Sequence, residues 1–366
     1  MMGAKLAGKS RLTISVCKAV AALAVASMLA FASDAIAGTE APFPRPATIE
    51  PNVEFWVNIF TAYSDRDFLV VDRDNVWRIY QVFHLPGEGQ PTRGDIDWAN
   101  AYLKIKYADI LNRLASGREP SNYDERRVAA MFKGEGLGAY ANAAQNLRVQ
   151  EGLRDQFHEG LLRSRYYRPT MERIFRSAGI PPELVTLAHV ESGFHGGARS
   201  GAGAVGIWQF TRDTGKHYMK ITRYHDDRLN PERETVAAAK LLRSNYDTLG
   251  DWPLAITAYN YGTGGVARAS SIYGGDYAKM VRNYNGPRFG FAVKNYYAEF
   301  LAAMQVHRYE DKYFPGIEYE SAIRPAPIKT DFAPPRRSKK KSSHSVRLHR
   351  VSTKTAHSKK TVQHNT

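Results

Sequence analysis

The stretch Pro182–Gln209 reads PELVTLAHVESGFHGGARSGAGAVGIWQ, and it puts one carboxylate where a carboxylate is costly. Pro181 and Pro182 suit a first helical turn, and Leu184, Leu187, Ala188 and Glu191 recur at i, i+3, i+4 and i+7, so the acid falls on the apolar stripe of a short helix. Its side chain points inward. Ser192 and Gly193 end the helix, which leaves Glu191 in the last turn, where the negative end of the helix dipole disfavours an anion. Burial and dipole both raise its pKa. A carboxyl kept protonated near neutrality is what a general acid needs to protonate a poor leaving group such as a glycosidic oxygen. An isolated helix-terminal Glu is more often an ion-pair partner, here of Arg199 or another base, so its neighbours in sequence have to decide.

Those neighbours follow in order: Glu191-Ser192, then GAVGIWQ from Gly203 to Gln209, then Ala258-Tyr259-Asn260. Together with Phe210, Asp227-Arg228, Asn230-Pro231 and Asp251-Trp252-Pro253-Leu254, they resemble the catalytic domain of family 1, soluble-type (SLT) lytic murein transglycosylases, closest to the type D membrane-bound group. The resemblance is nearly continuous from Ile180 to Ala269 and looser out to Tyr309. It implies a lysozyme-like helical fold and cleavage of the bond between N-acetylmuramic acid and N-acetylglucosamine in peptidoglycan, without cofactor or metal. By the same resemblance Glu191 is the catalytic acid and base, and Tyr259 hydrogen-bonds near it and steadies a positively charged sugar. Ser192 and Asn260 become supporting contacts to substrate.

The residues carry readings of their own at these positions. Small side chains at Gly203, Ala204 and Gly206 permit close backbone approach, shaping a narrow groove in which Gln209 can hydrogen-bond an N-acetyl or hydroxyl group. A phosphate loop is excluded, since no strand precedes these glycines and the Lys-Ser/Thr is missing. Ser192 has no base beside it and does not read as a nucleophile. His189-Val190-Glu191 mimics the His-x-Glu of zinc deaminases, but there is no Pro-Cys-x-x-Cys partner and no His-Glu-x-x-His, so no metal is expected. Near the end of the folded part, Gly290 to Tyr297 resembles the family segment Glu-Thr-Arg-Asn-Tyr, with Ala292-Val293 in place of Glu-Thr. Tyr296 matches the tyrosine that faces the cleft, and Tyr297 is its rival by a one-residue slip.

Composition frames the rest. With 43% hydrophobic and 24% charged residues over 366 positions, the chain can bury one or two cores. Residues 1–37 read as an export signal: Lys5, Lys9, Arg11 and Lys18 precede an apolar run from Ala19 to Phe31, then Ala35-Ile36-Ala37. Export to the periplasm or cell envelope is the expectation. The only cysteine, Cys17, lies before the apolar run, which is badly placed for lipidation and leaves no disulfides after cleavage.

Residues 38–150 read as an accessory region: a helix around Phe55 to Tyr63, then a β-hairpin of Phe68–Val71 and Val76–Phe83, with turn chemistry in Asp72-Arg73-Asp74-Asn75. Helices are expected over 97–115, 124–133 and, as one long polar helix ended or kinked by Pro169, over 139–167. Residues 151–314 form the expected catalytic domain, with a helix at 171–178 stopped by Gly179, a helix capped by Asn230-Pro231, and another capped by Asp251. Asp227 is expected to pair with Arg228, so no second catalytic acid is evident. Residues 315–366 turn Pro-rich and then basic. The formal charge of +15 is concentrated there, because ten Lys or Arg and no acid lie between Pro334 and Thr366, while the folded body is nearly neutral. Such a tail suits an anionic envelope surface better than specific nucleic-acid binding, in a chain expected to be exported and monomeric. The fold class is therefore mainly α, a lysozyme-like domain behind a helical region with one hairpin. Two rival functions remain open, a lysozyme-type muramidase and a non-catalytic cell-wall-binding or assembly protein.

Overall fold

The computed structural model describes residues 42–317; the expected signal at 1–37 and basic tail from 334 lie outside them. Chain order gives α1 (Glu50–Thr61), strands β1 (Asp67–Asp72) and β2 (Asn75–His84), then α2 (Arg93–Ala115), α3 (Tyr123–Ala130), α4 (Leu137–Gln145) and strand β3 (Leu147–Glu151). After them come α5 (Arg154–Ser177), α6 (Leu187–Ser192), α7 (Arg212–Lys216), α8 (Pro231–Leu249), α9 (Trp252–Tyr261), α10 (Thr263–Ile272), α11 (Tyr277–Asn283), α12 (Phe291–Arg308) and α13 (Glu310–Tyr313). The fold is mainly helical, as expected. Among the described residues no helix is long and apolar enough to cross a membrane.

The hairpin forms where its β-branched and aromatic residues place it, with Phe68 opposite Phe83 and Leu69 opposite Val82. A third strand joins it. β3 pairs antiparallel with the other edge of β1, Val70 against Val149, giving the order β2-β1-β3. Since successive residues of a strand face opposite ways, central β1 is buried on both sides. Leu69 and Val71 enter a large core shared with α1, α5, α6 and α8 to α12, whereas Phe68 and Val70 enter a smaller core under α2, α3 and α4.

β3 overturns the single helix expected over 139–167. Arg148, Gln150 and Glu151 are good helix formers, and five residues give too short a pattern to betray alternation, so pairing with buried β1 overrides local preference. The helix that follows also differs from expectation, because α5 runs straight through Pro169 to Ser177. Pro169 and Arg165 both lie on the exposed face, where water can replace the backbone hydrogen bond that proline cannot donate. Gly179 then stops the run with φ +69°, in the left-handed region.

α1 packs along α12. The Trp56 indole N–H and the Asn52 amide both donate to Asn295 Oδ1, at 3.1 and 2.8 Å, and Phe55, Trp56, Ile59 and Phe60 are buried in the larger core. Packing therefore groups this helix with residues after 151.

Candidate active site

Glu191 is where the spacing puts it, in the last turn of α6. A one-turn 3-10 segment, Pro182–Thr186, leads into that helix, and Gly193 and Phe194, with φ of 55° and 58°, turn the chain sharply out of it. Gly193 N–H bonds the His189 carbonyl and Phe194 N–H the Ala188 carbonyl, so the orphan carbonyls of the helix end are satisfied while the Phe194 ring is fully buried. That anchor fixes Glu191 at a cleft of about 660 Å³, whose walls include Gln90, Asp155, Phe157, Ser192, His195 and Arg199. The carboxyl is open to the cleft on one side and enclosed by protein on the others. Burial pushes it up to about 7.

One group opposes that push. The Tyr296 hydroxyl, on α12, donates to Glu191 Oε1 and favours the ionised form. Tyr296 is itself buried, and burial together with the nearby Glu191 charge holds its phenol well above the usual range, so it stays a donor. Tyr297 faces the other way, wholly buried, with its hydroxyl on the Pro44 carbonyl at 2.8 Å. Of the two, it is Tyr296 that reaches Glu191.

Tyr259 lies at the end of α9, half-buried, and its hydroxyl donates to the Trp208 carbonyl at 2.8 Å. It is near enough to Glu191 that charge there adds to the effect of burial in raising its pKa. In the structure the Tyr296 hydroxyl is on the acid and the Tyr259 hydroxyl on the loop beside it. Ser192 Oγ donates to the Ile207 carbonyl at 2.8 Å and accepts from His195 N–H at 3.2 Å, so it ties the end of α6 to that same loop. Gln209 adopts φ 49°, a strained value for a residue with a side chain, and its amide nitrogen donates to the Gly206 carbonyl at 2.8 Å. Asn260 is exposed in the last turn of α9.

The loop from Gly203 to Gln209 rests on a residue that sequence reading passed over. Glu234, in the first turn of α8, is fully buried, and its carboxylate accepts the backbone N–H of Ile207 at 3.0 Å and of Trp208 at 3.2 Å. Gly206, at φ +89°, is obligatory here, because a Cβ would come within 2.2 Å of Glu234 Oε2 and 2.1 Å of the Arg228 carbonyl. Burial drives the Glu234 carboxyl well above its ordinary pKa, and the two N–H groups only partly offset it.

A second carboxyl was also missed. Glu299 sits one turn after Tyr296 on α12, half-buried, and burial pushes it up to about 8, with the nearby Glu191 charge adding and Arg148 opposing. The only sequence signal was its i+3 spacing from Tyr296. Two expected pairings need correction as well. Arg228 pairs with Asp226, at 2.7 Å, while Asp227 takes Arg233 at 2.6 Å; the 3-10 turn Asp227–Leu229 decides which of the adjacent acids faces the guanidinium. Asp251 occupies the N-cap position of α9 but makes no side-chain capping bond there, unlike Asn230, which accepts from the Glu232 and Arg233 N–H groups. His189 lies flat on Phe157 at 4.1 Å in the core, kept neutral by burial.

With this geometry in view, residues 172–280 match the family model described as Transglycosylase SLT domain. The chain resembles that family over this segment. Over 137 residues it is 40% identical to the membrane-bound lytic murein transglycosylase D of Escherichia coli (strain K12), and to the protein of the same name in Escherichia coli O6:H1, covering 36% of this chain and 30% of each relative. The chain thus spans under a third of the length of these curated relatives. The SLT match includes Glu191, Ser192, Gln209, Glu234, Tyr259 and Asn260, and it stops short of Tyr296 and Glu299. The tyrosine that touches the acid is therefore supplied from outside the matched segment.

Proposed function

We propose that this protein is a peptidoglycan lytic transglycosylase, cleaving the bond between N-acetylmuramic acid and N-acetylglucosamine and leaving a 1,6-anhydro end. The observation that carries the reading is a single acid held at about 7, open to a cleft on one side and fixed by a tyrosine on the other. Glu191 donates its proton to the glycosidic oxygen as the C1–O bond breaks, and positive charge develops on the sugar. The carboxylate so formed then takes the proton of the muramic acid 6-hydroxyl, whose oxygen bonds to C1 and closes the anhydro ring. Glu191 ends the cycle protonated, as it began. Tyr296 favours the carboxylate stage, because its hydroxyl bonds the charged form more strongly. Tyr259 and Glu234 hold the Gly203–Gln209 loop that shapes the sugar groove.

Hydrolysis by two carboxyls requires an ionised partner as nucleophile or base. Glu299, pushed up to about 8, is mostly neutral at pH 7, and Asp155, an ionised carboxylate in the cleft wall, is taken up by Arg154 at 2.9 Å, so neither is a ready base for an attacking water. The resemblance to relatives named membrane-bound murein transglycosylases, together with the signal-like N-terminus, supports action at the cell envelope, with the basic tail as an electrostatic tether. Mass spectrometry of a digest tests the reaction. Anhydro ends weigh one water less than reducing ends, and a digest containing only reducing ends overturns the proposal in favour of a muramidase.

A further inference from the structure

A second pocket, of about 330 Å³, lies between the hairpin tip, α1, α11 and α12, and shares no lining residue with the Glu191 cleft. Arg73, Arg282 and Lys294 converge on it, and none of the three makes an ion pair among the described residues. Arg73 spends its guanidinium on the Gln145 carbonyl and Asn146 Oδ1, at 3.3 and 3.4 Å, and Lys294 Nζ sits 2.9 Å from Asn285 Oδ1. These are neutral partners. The one acid in the wall, Asp74, accepts from the Asn146 amide at 2.8 Å. Arg148, on neighbouring β3, lies close enough to Arg73 for the two charges to repel, so cations outnumber the single wall acid around the pocket.

Cations elsewhere on this body are commonly paired, Arg45 with Glu50, Arg78 with Glu135 and Arg243 with Asp247 among them. A solvated surface needs no more than that. Gathering three unpaired cations around a concavity costs repulsion that a bound anion relieves, and a guanidinium fork matches the two oxygens of a carboxylate. The floor is polar and preset, since Asn295 already holds Asn52 and Trp56.

We propose that this pocket binds carboxylate groups of the acidic peptide borne by the glycan substrate. The proposal rests on the activity reading above for its choice of anion. Arg282 and Lys294 supply the charge from α11 and α12, and Arg73 closes on the anion from the hairpin tip. Asn295 directly precedes Tyr296 on α12, so an occupied pocket would hold the start of the helix that presents a tyrosine to Glu191.

The test compares the full-length protein with a double variant, Arg282→Gln and Lys294→Gln, neither residue being part of the Glu191 site. Binding of the peptide released from peptidoglycan, measured by calorimetry without turnover, should weaken about tenfold or more in the variant at low salt, since charge-assisted hydrogen bonds are lost. On peptide-bearing glycan the variant should show a raised KM with kcat unchanged, and on the same glycan stripped of peptide it should match wild type. Equal peptide binding by the two proteins, or an equal KM change on both glycans, overturns the assignment. Inorganic phosphate separates the sources: if it binds wild type as tightly as the peptide does, the pocket is a free-anion site and the peptide assignment fails. Should wild type cleave neither glycan, the activity reading falls, and the calorimetry still decides the pocket.

Discussion

Glu191 and Glu234 carry the same side chain, lie at opposite helix ends around one loop, and are both pushed upward in pKa by burial. Their surroundings give them different work. Glu191 closes α6, faces a cleft, and receives a tyrosine hydroxyl that reacts to its charge. Glu234 opens α8, faces no solvent, and receives two backbone N–H groups that cannot move away. Burial alone therefore does not mark a reactive acid. What marks it is one open side together with a partner that tolerates both protonation states.

The sharpest way to break this comparison is to neutralise each acid in turn. Glu191→Gln should lower turnover by about 10³-fold or more, because one residue acts as acid and then as base. It should also melt a few degrees higher than wild type at pH 7 to 8. The sign follows from linkage: the folded value of about 7 exceeds the ordinary 4.5, so the native state keeps a proton that the unfolded chain has released, and stability falls as pH rises from 4.5 through 7. The amide removes that loss. Residual activity above about a tenth of wild type would contradict the catalytic role.

Glu234→Ala should do the reverse, costing about 2 to 6 kcal/mol by leaving two buried N–H groups without an acceptor. Glu234→Gln keeps an acceptor for only one of the two N–H groups, because they bond different oxygens, and should cost about 1 to 3 kcal/mol while retaining activity. Chemical denaturation and a turnover assay read both. An inactive but fully stable Glu234→Gln would mean that this acid takes part in the chemistry too.

The tyrosines sharpen the same contrast at smaller amplitude. Wild-type kcat/KM should fall as pH rises through about 7, as Glu191 loses its proton. Tyr296→Phe removes the bond that favours the carboxylate, so the falling limb should move to higher pH with a lower plateau. Tyr259→Phe should leave the limb nearly in place and slow the rate less, since that hydroxyl is committed to the Trp208 carbonyl. Equal shifts in both variants would show that the division of roles between them is wrong.

The smallest effect is expected at Glu299. Glu299→Gln should leave activity at pH 6 within about twofold of wild type, because a carboxyl at about 8 is already neutral there and an amide resembles it. A large loss at pH 6 would make it a second catalytic acid.

How much of this was legible in the sequence depended on whether the deciding contact was local. Glu191 at a helix end, the Gly193 stop, the Asn230-Pro231 start and the hairpin all follow from neighbours within a few positions, and each is where its pattern puts it. β3 was hidden because its partner is 70 or more residues away in sequence and its own residues prefer helix. Glu234 and Glu299 looked like ordinary helix-surface acids until the fold closed over them. Asp226 and Asp227 are adjacent, so their choice of arginine depended on the turn geometry and could not be read from spacing.

The packing of α1 on α12 has a consequence for how the protein is made. Trp56 and Asn295 meet although they lie 239 positions apart, a contact that closes most of the described chain into one loop. Synthesis proceeds from the N-terminus, so Glu191 leaves the ribosome about a hundred residues before Tyr296, and α1 waits with Trp56 and Phe60 uncovered until α12 arrives. A nascent or truncated chain lacking α12 holds an acid without its tyrosine and a helix without its seat. α12 thus completes both the core and the site, and the acid meets its tyrosine only once residue 296 has been made.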